Sequence, residues 1–287
     1  VTESAHPSPL VVEAIHPLVR RVLAHNPSPF TYTGTQTHIV GHGEVAVIDP
    51  GPDLPDHVDA ILAATAGERI VAILCTHTHR DHSPAARPLA AATGAPVMGC
   101  APIMARDGSG LEAGFDHSYA PDRVMVEGDT VSGPGWTLEA IATPGHTSNH
   151  LCFALPEARA LFSGDHVMGW STSVVIPPDG RMGAYVASLD KLMGREDEIY
   201  FPAHGDPVTR PQRLVRSMLG HRKQREAQIL RLLDEKPQSV EQMVATMYAG
   251  LDPRLTKAAG LSVLAHLIDL DERGRVSVAD AIWTLAA

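Results

Sequence analysis

Cysteine is scarce in this 287-residue sequence: Cys75, Cys100 and Cys152 are widely spaced and odd in number. Such a set makes neither a disulfide framework nor a CxxC zinc site, so all three read as small core residues suited to a reducing compartment. Also missing is any apolar run near the roughly 18 residues of a membrane span, and the first residues (VTESAHPSPL) hold no basic patch followed by an apolar core. The expectation is a cytoplasmic protein with no membrane partner. Basic residues are the minority, 23 Lys+Arg against 33 Asp+Glu, for a net charge of -10. The deficit is uneven: from Pro211 onward Lys+Arg outnumber Asp+Glu 11 to 9, leaving 12 against 24 before it. A body that acidic is a poor general trap for polyanions, and the tail is a separate electrostatic unit. Low-complexity tracts are absent, and 44% hydrophobic with 20% charged residues is an ordinary globular balance with ample core.

The pattern along the chain alternates strands and helices. Residues 1 to 30 hold five prolines and read as an irregular start feeding an edge strand. His38 to Val40 and Val45 to Ile48 form a predicted hairpin around Gly41-His42-Gly43-Glu44, which ends at the break Asp49-Pro50-Gly51-Pro52. Val58, Ile61 and Leu62 share a helical face up to Gly67, and Ile70 to Cys75 is a buried strand. Ser83 is a candidate N-cap with Pro84 at the first helical position, and Pro88 should kink the helix that runs to Gly94. Ala95 to Met98 resumes as a strand, and Ala101 to Pro121 reads as an irregular surface excursion. Val124 to Val126, Thr137 to Ala142, Leu151 to Leu155 and Ala160 to Phe162 read as further strands.

Chemistry is concentrated where Ile70 to Pro84 reads IVAILCTHTHRDHSP, an apolar run that stops in three histidines and an aspartate within six positions. Imidazole and carboxylate are ligands that zinc takes. Similar clusters follow later strands, at Thr143-Pro144-Gly145-His146-Thr147, Ser163-Gly164-Asp165-His166 and Pro202-Ala203-His204-Gly205. Residues at the carboxyl ends of several strands converge on one edge of a sheet. The candidates are therefore His77, His79, Asp81, His82, His146, Asp165 and His204. Seven ligands are too many for one tetrahedral ion and suit two if one carboxylate bridges, a known hydrolytic device.

The order THTHRDH, TPGHT, the Gly164-Asp165 step and PAHG closely resembles the metallo-β-lactamase superfamily over roughly residues 30 to 210. The resemblance implies an α/β fold, an αββα sandwich with a binuclear site at one edge. It would put His77, His79 and His146 on the first metal and Asp81, His82 and His204 on the second, with Asp165 bridging. The two divalent ions would be zinc first, iron or manganese fitting the same ligand types. A bridging hydroxide would be the nucleophile, and Asp81 would orient it and handle its proton. True β-lactamases generally lack the bridging aspartate, whereas Asp165 follows the pattern of hydroxyacylglutathione hydrolases, lactonases and nucleases. The lactonase-type tyrosine after the bridge is missing. Trp170 is the only aromatic there and, with Ser171, the candidate substrate pocket. YVASLDKL (Tyr185 to Leu192) resembles a helix of a branch with a winged-helix tail, which includes an animal single-strand RNA endonuclease.

That tail is legible here as helices over Arg213 to Leu233, Val240 to Tyr248 capped by Ser239, and Thr256 to Leu270, then a hairpin from Gly274. The expected division is a catalytic domain over 1–210 and a mostly α winged-helix-like domain over 211–287. At +2 the tail suits a packing or homodimer contact better than a nucleic-acid grip. The leading expectation is a binuclear metal-dependent hydrolase of a small ester, thioester or lactone. The alternative is a metal-dependent endoribonuclease or phosphodiesterase with RNA as partner; β-lactamase action or a non-hydrolytic regulator ranks behind both.

Overall fold

The computed structural model describes residues 7–103, 114–252 and 255–286, which fall into two compact units. The first comprises the described residues within 1–142, 149–172 and 196–211, and the second those within 143–148, 173–195 and 212–287.

Two mixed sheets build the first unit. One runs in sequence order through β1 (Val12–His16), β2 (Val19–Leu23), β3 (Gln36–His42), β4 (Glu44–Ile48), β5 (Arg69–Cys75), β6 (Val97–Gly99) and β7 (Arg123–Val124). Its first four strands pair antiparallel, β1–β2 and β3–β4 through tight turns and β2–β3 across residues 24–35, with Gly43 at φ +73 closing the turn between β3 and β4. From β4 onward pairing is parallel, because helices α1 (Pro55–Ala64) and α2 (Ala86–Thr93) carry the chain back between strands. The second sheet has the order β12 (Ile199–Pro202), β11 (Ala160–Gly164), β10 (Leu151–Leu155), β9 (Trp136–Ala142), β8 (Thr130–Gly133).

Both sheets bury their inner faces in one core, where Ile39, Val47 and Ile73 meet Leu138, Phe153 and Phe162. Strands β4 and β5 read as continuous apolar runs because both their faces are covered. Trp136 ties the sheets together: fully buried, it donates its indole N–H to the Glu44 carbonyl at 2.9 Å. A Cβ on Gly41 would stand 2.2 Å from that indole, so only glycine fits beneath it.

Several local expectations are corrected. The start is a β1–β2 hairpin rather than an irregular lead into one edge strand. Ser83 does not cap α2; its hydroxyl donates to Asp116 at 3.0 Å, and the helix begins at Ala86. Pro88 is then the third helical residue, in a first turn whose N–H groups have no intrahelical acceptor, so no kink is needed. Strand β8 has alternating exposure and no apolar run, which hid it from the sequence pattern. Of the excursion over Ala101 to Pro121, residues 104–113 lie outside the described residues.

The second unit contains α3 (Met182–Met193), α4 (Pro211–Glu235), α5 (Val240–Met247), α6 (Thr256–Glu272) and the hairpin β13 (Val276–Ala279)–β14 (Ile282–Leu285). It has its own core, in which Ile229, Met243, Leu267 and Trp283 pack together. Ser239 caps α5 in a reciprocal box with Gln242, as the Ser-x-x-Gln spacing predicts. Asp280 and Ala281 turn the wing at φ +51 and +62, the conformation a two-residue hairpin turn requires.

Candidate metal centre

The ligand candidates sit on loops that leave the strands at their carboxyl ends. Cys75 is the last residue of β5, and Thr76 begins the turn that carries His77, His79, Asp81 and His82. Asp165 follows β11, and His204 follows β12, its parallel neighbour. His146 lies beyond the end of β9.

All seven are gathered into two groups. One ligand atom from each of His77, His79, His146 and Asp165 lies within 4.8 Å of the others, and the same holds for Asp81, His82 and His204. The groups adjoin at Asp165, whose Oδ1 is 3.3 Å from His204 Nε2 and whose Oδ2 is 3.5 Å from His82 Nε2. Asp81 Oδ2 faces the same two imidazoles at 3.1 and 3.4 Å.

The rings are held from behind. His82 donates its Nδ1–H to Asp49 at 3.0 Å, and His204 donates its own to the Gly34 carbonyl at 3.1 Å. Each tautomer is thereby set, leaving Nε2 as the free donor atom. Both Nε2 atoms are buried and, among the described residues, face only the carboxylates of Asp81 and Asp165. Imidazole nitrogens and carboxylate oxygens converging in a buried pocket are what a divalent ion binds. His146 is fixed in the same way, its Nδ1–H donating to the Val174 carbonyl at 2.6 Å. Asp81, His82, Asp165 and His204 lie close enough to shift one another's titration. Burial pushes the Asp81 carboxyl up, yet His82 and His204 hold it well below the usual carboxylate range. Burial likewise drives the His204 imidazole down, but Asp165 and Asp81 outweigh it and raise it to about 10. Protons on the His82 and His204 imidazoles are ones that a divalent cation would displace on binding. Five histidines and two carboxylates with inward lone pairs therefore fit two borderline divalent ions.

Residues outside the recognised motifs complete the site. Asp49 accepts the backbone N–H and the hydroxyl of Thr76, both at 2.8 Å, besides His82. In the sequence it registers only as part of a break. Its signal is the same one that marks the ligands, a polar residue at the carboxyl end of a buried strand. His150 Nε2 accepts the Asp165 backbone N–H at 3.3 Å, and its ring stands 5.1 Å from that of His77. Gly164, at φ +49, leaves no room for a side chain, since a Cβ would stand 2.7 Å from His150 Nε2. Of the two pocket candidates, Trp170 stacks on Tyr32 with centroids 5.0 Å apart and lies against Gly205, next to His204. Ser171 instead turns its hydroxyl to the Thr172 carbonyl at 3.3 Å.

Comparison with known proteins agrees with this geometry. Residues 32–204 match the family described as "Metallo-beta-lactamase superfamily", and residues 239–283 match the "Beta-lactamase associated winged helix domain". An atrochrysone carboxyl ACP thioesterase of Cryptosporiopsis sp. is 32% identical over 83% of this chain and 74% of its own length. A crystal structure of a beta-lactamase domain protein from Burkholderia ambifaria superposes with a TM-score of 0.82 at 20% identity, over 99% of this chain and 96% of that one. Another similar chain, solved in a di-iron-bound form, is 30% identical at a TM-score of 0.52, over 66% of this chain and 93% of that one.

Proposed function

We propose, from the premise that the chain belongs to the metallo-β-lactamase superfamily, that it is a metal-dependent thioesterase. The observation that carries the reading is the second group, Asp81, His82 and His204, whose two buried Nε2 atoms face only the carboxylates of Asp81 and Asp165 among the described residues. The thioester class is supported by the relative that is 32% identical over 257 aligned residues and is a carrier-protein thioesterase.

In this reading His77, His79 and His146 would hold one ion and Asp81, His82 and His204 the other, with Asp165 placed where the two groups adjoin. When bound, two such ions supply an acidified water and polarise the substrate carbonyl. The protein's own groups do the rest. Asp49 holds His82 in the tautomer that presents Nε2, and the Gly34 carbonyl does so for His204. Asp81, kept ionised by the imidazoles beside it, takes the proton of the attacking water. The new C–O bond forms as the C–S bond breaks, and the proton passes to the departing sulfur. A thiolate leaves readily because a thiol has a pKa near about 8.5, so little acid assistance is needed. The -12 balance over residues 1–210 disfavours a polyanionic substrate such as RNA. We place the domain boundary near residue 210, take zinc as the working ion, and assign the winged helix no nucleic-acid role.

The test is hydrolysis of a panel of acyl-thioesters by metal-loaded protein, beside lactones and unstructured RNA, with His77→Ala as control. Thioester turnover that vanishes in the control is expected. RNA cleavage that vanishes in the control, with every thioester untouched, would establish the phosphodiesterase alternative instead.

A further inference from the structure

The second unit owns the loop that bears His146, and it grips that loop from two directions. Backbone comes first. α3 closes on the loop so tightly that a Cβ on Gly145 would stand 2.3 Å from the Tyr185 backbone. The Arg181 N–H donates to the Gly145 carbonyl at 2.9 Å, and the Ser188 hydroxyl donates to the Pro144 carbonyl at 2.8 Å. The imidazole is held separately, through the Val174 carbonyl that accepts its Nδ1–H. What holds Val174 is therefore what aims His146.

One residue earlier, the Ser173 carbonyl accepts a hydrogen bond from the Arg222 guanidinium at 2.5 Å. Arg222 comes from the middle of α4, is 5% exposed, and stacks its guanidinium carbon 5.1 Å over the Tyr185 ring. Burying a guanidinium costs free energy that a leucine or methionine packed at the same place would not incur. What the planar fork adds is direction: one face on α3 and one N–H on the 173–174 segment lock both supports of the His146 loop to each other. Two other cations of the tail are engaged within it. Arg273 pairs with Glu226 and Asp269, and Arg225 lies 4.7 Å over the Tyr248 ring.

We propose that Arg222 is a positioning residue for His146, through which α4 fixes the loop and the ring orientation of that candidate ligand. The inference rests on the reading of His146 as a ligand, and a residue acting at this remove typically changes metal affinity by about 10- to 100-fold.

The experiment titrates apo protein with Co2+ by calorimetry and by visible absorption, for the parent chain and for Arg222→Met, Arg222→Lys, His146→Ala and Arg273→Ala. His146→Ala identifies the equivalent to which that imidazole contributes. Arg222→Met is expected to weaken that same equivalent by about 10- to 100-fold and alter its absorption bands, leaving the other equivalent intact. Arg222→Lys, which keeps the charge without the plane, should fall between, and Arg273→Ala should bind as the parent does. A role in stability alone would lower the melting temperature and leave both equivalents at parental affinity, which overturns the proposal. Equal loss of both equivalents overturns it too. Arg222→Lys decides the matter on the same criteria where Arg222→Met does not fold. His146→Ala with both equivalents intact would remove the metal reading itself, and the inference with it.

Discussion

Replacing Asp49 by Asn tests whether the metal centre depends on a residue that binds no metal. The carboxylate is 2% exposed and accepts three hydrogen bonds, two from Thr76 and one from His82. An amide of the same shape has one accepting oxygen, so its NH2 group must face a donor. If it faces His82, the ring has to accept at Nδ1 and carry its proton on Nε2, which removes the lone pair aimed at Asp81 and Asp165. If it faces the Thr76 hydroxyl, the turn that begins the ligand loop loosens. A hydrogen bond to a charged group contributes about 1.5–3 kcal/mol, so the loss should be about 2–4 kcal/mol of stability. For a chain of this size that lowers the melting temperature by about 5–10 °C. Metal affinity should fall by about 10- to 100-fold for the ion held by His82 and hardly at all for the other. Calorimetric titration of the apo protein with Zn2+ reads both affinities, and kcat/KM on a thioester reads the consequence. Parental affinity at both positions in a folded Asp49→Asn protein would show that His82 does not need its carboxylate partner.

Asp81→Asn should lower kcat by at least about 100-fold, the usual scale of a lost proton acceptor, with a melting temperature near the parent's; near-parental turnover would exclude Asp81 from the proton transfer. Trp136→Ala should cost about 3–5 kcal/mol, because the hollow would open between two sheets that cannot collapse onto it, and chemical denaturation measures this directly. Chelation should abolish turnover and re-addition of Zn2+ restore it; activity that survives exhaustive chelation would contradict the two-ion reading. Burial lowers the His57 pKa to about 4 from 6.5, against the opposing effects of the Asp56 charge and a hydrogen bond to the Pro50 backbone. Because the unfolded chain takes up this proton first, stability is complete above pH 6.5 and declines until about pH 4, in all by about 3 kcal/mol. Metal-free His57→Gln should show a shallower decline of melting temperature across that window than the metal-free parent, and identical slopes would refute the assignment.

How readily each part could be read depends on how local its cause is. The strands β4, β5, β10 and β11 are apolar runs ended by polar or glycine-rich turns, a pattern that needs only neighbours in the chain. Strand β8 is edge-like and alternately exposed, so nothing local marked it. The Ser83 cap failed for a related reason. Its hydroxyl found Asp116, 33 positions away, as a better partner than the helix that the Ser-Pro pair suggested.

The seven candidate ligands were legible because each is a His or Asp placed directly after such a run, and residues in that position meet at one sheet edge whatever the loops between them do. By itself, then, the sequence determined most of the elements and the chemistry of the seven candidate ligands. Tertiary structure alone decided what stands behind the ligands. Asp49 reaches His82 across 33 positions, Gly34 reaches His204 across 170, and Arg222 reaches Ser173 across 49. A ring's tautomer is set by whatever faces its far nitrogen, and that partner is chosen by packing rather than by adjacency in the chain.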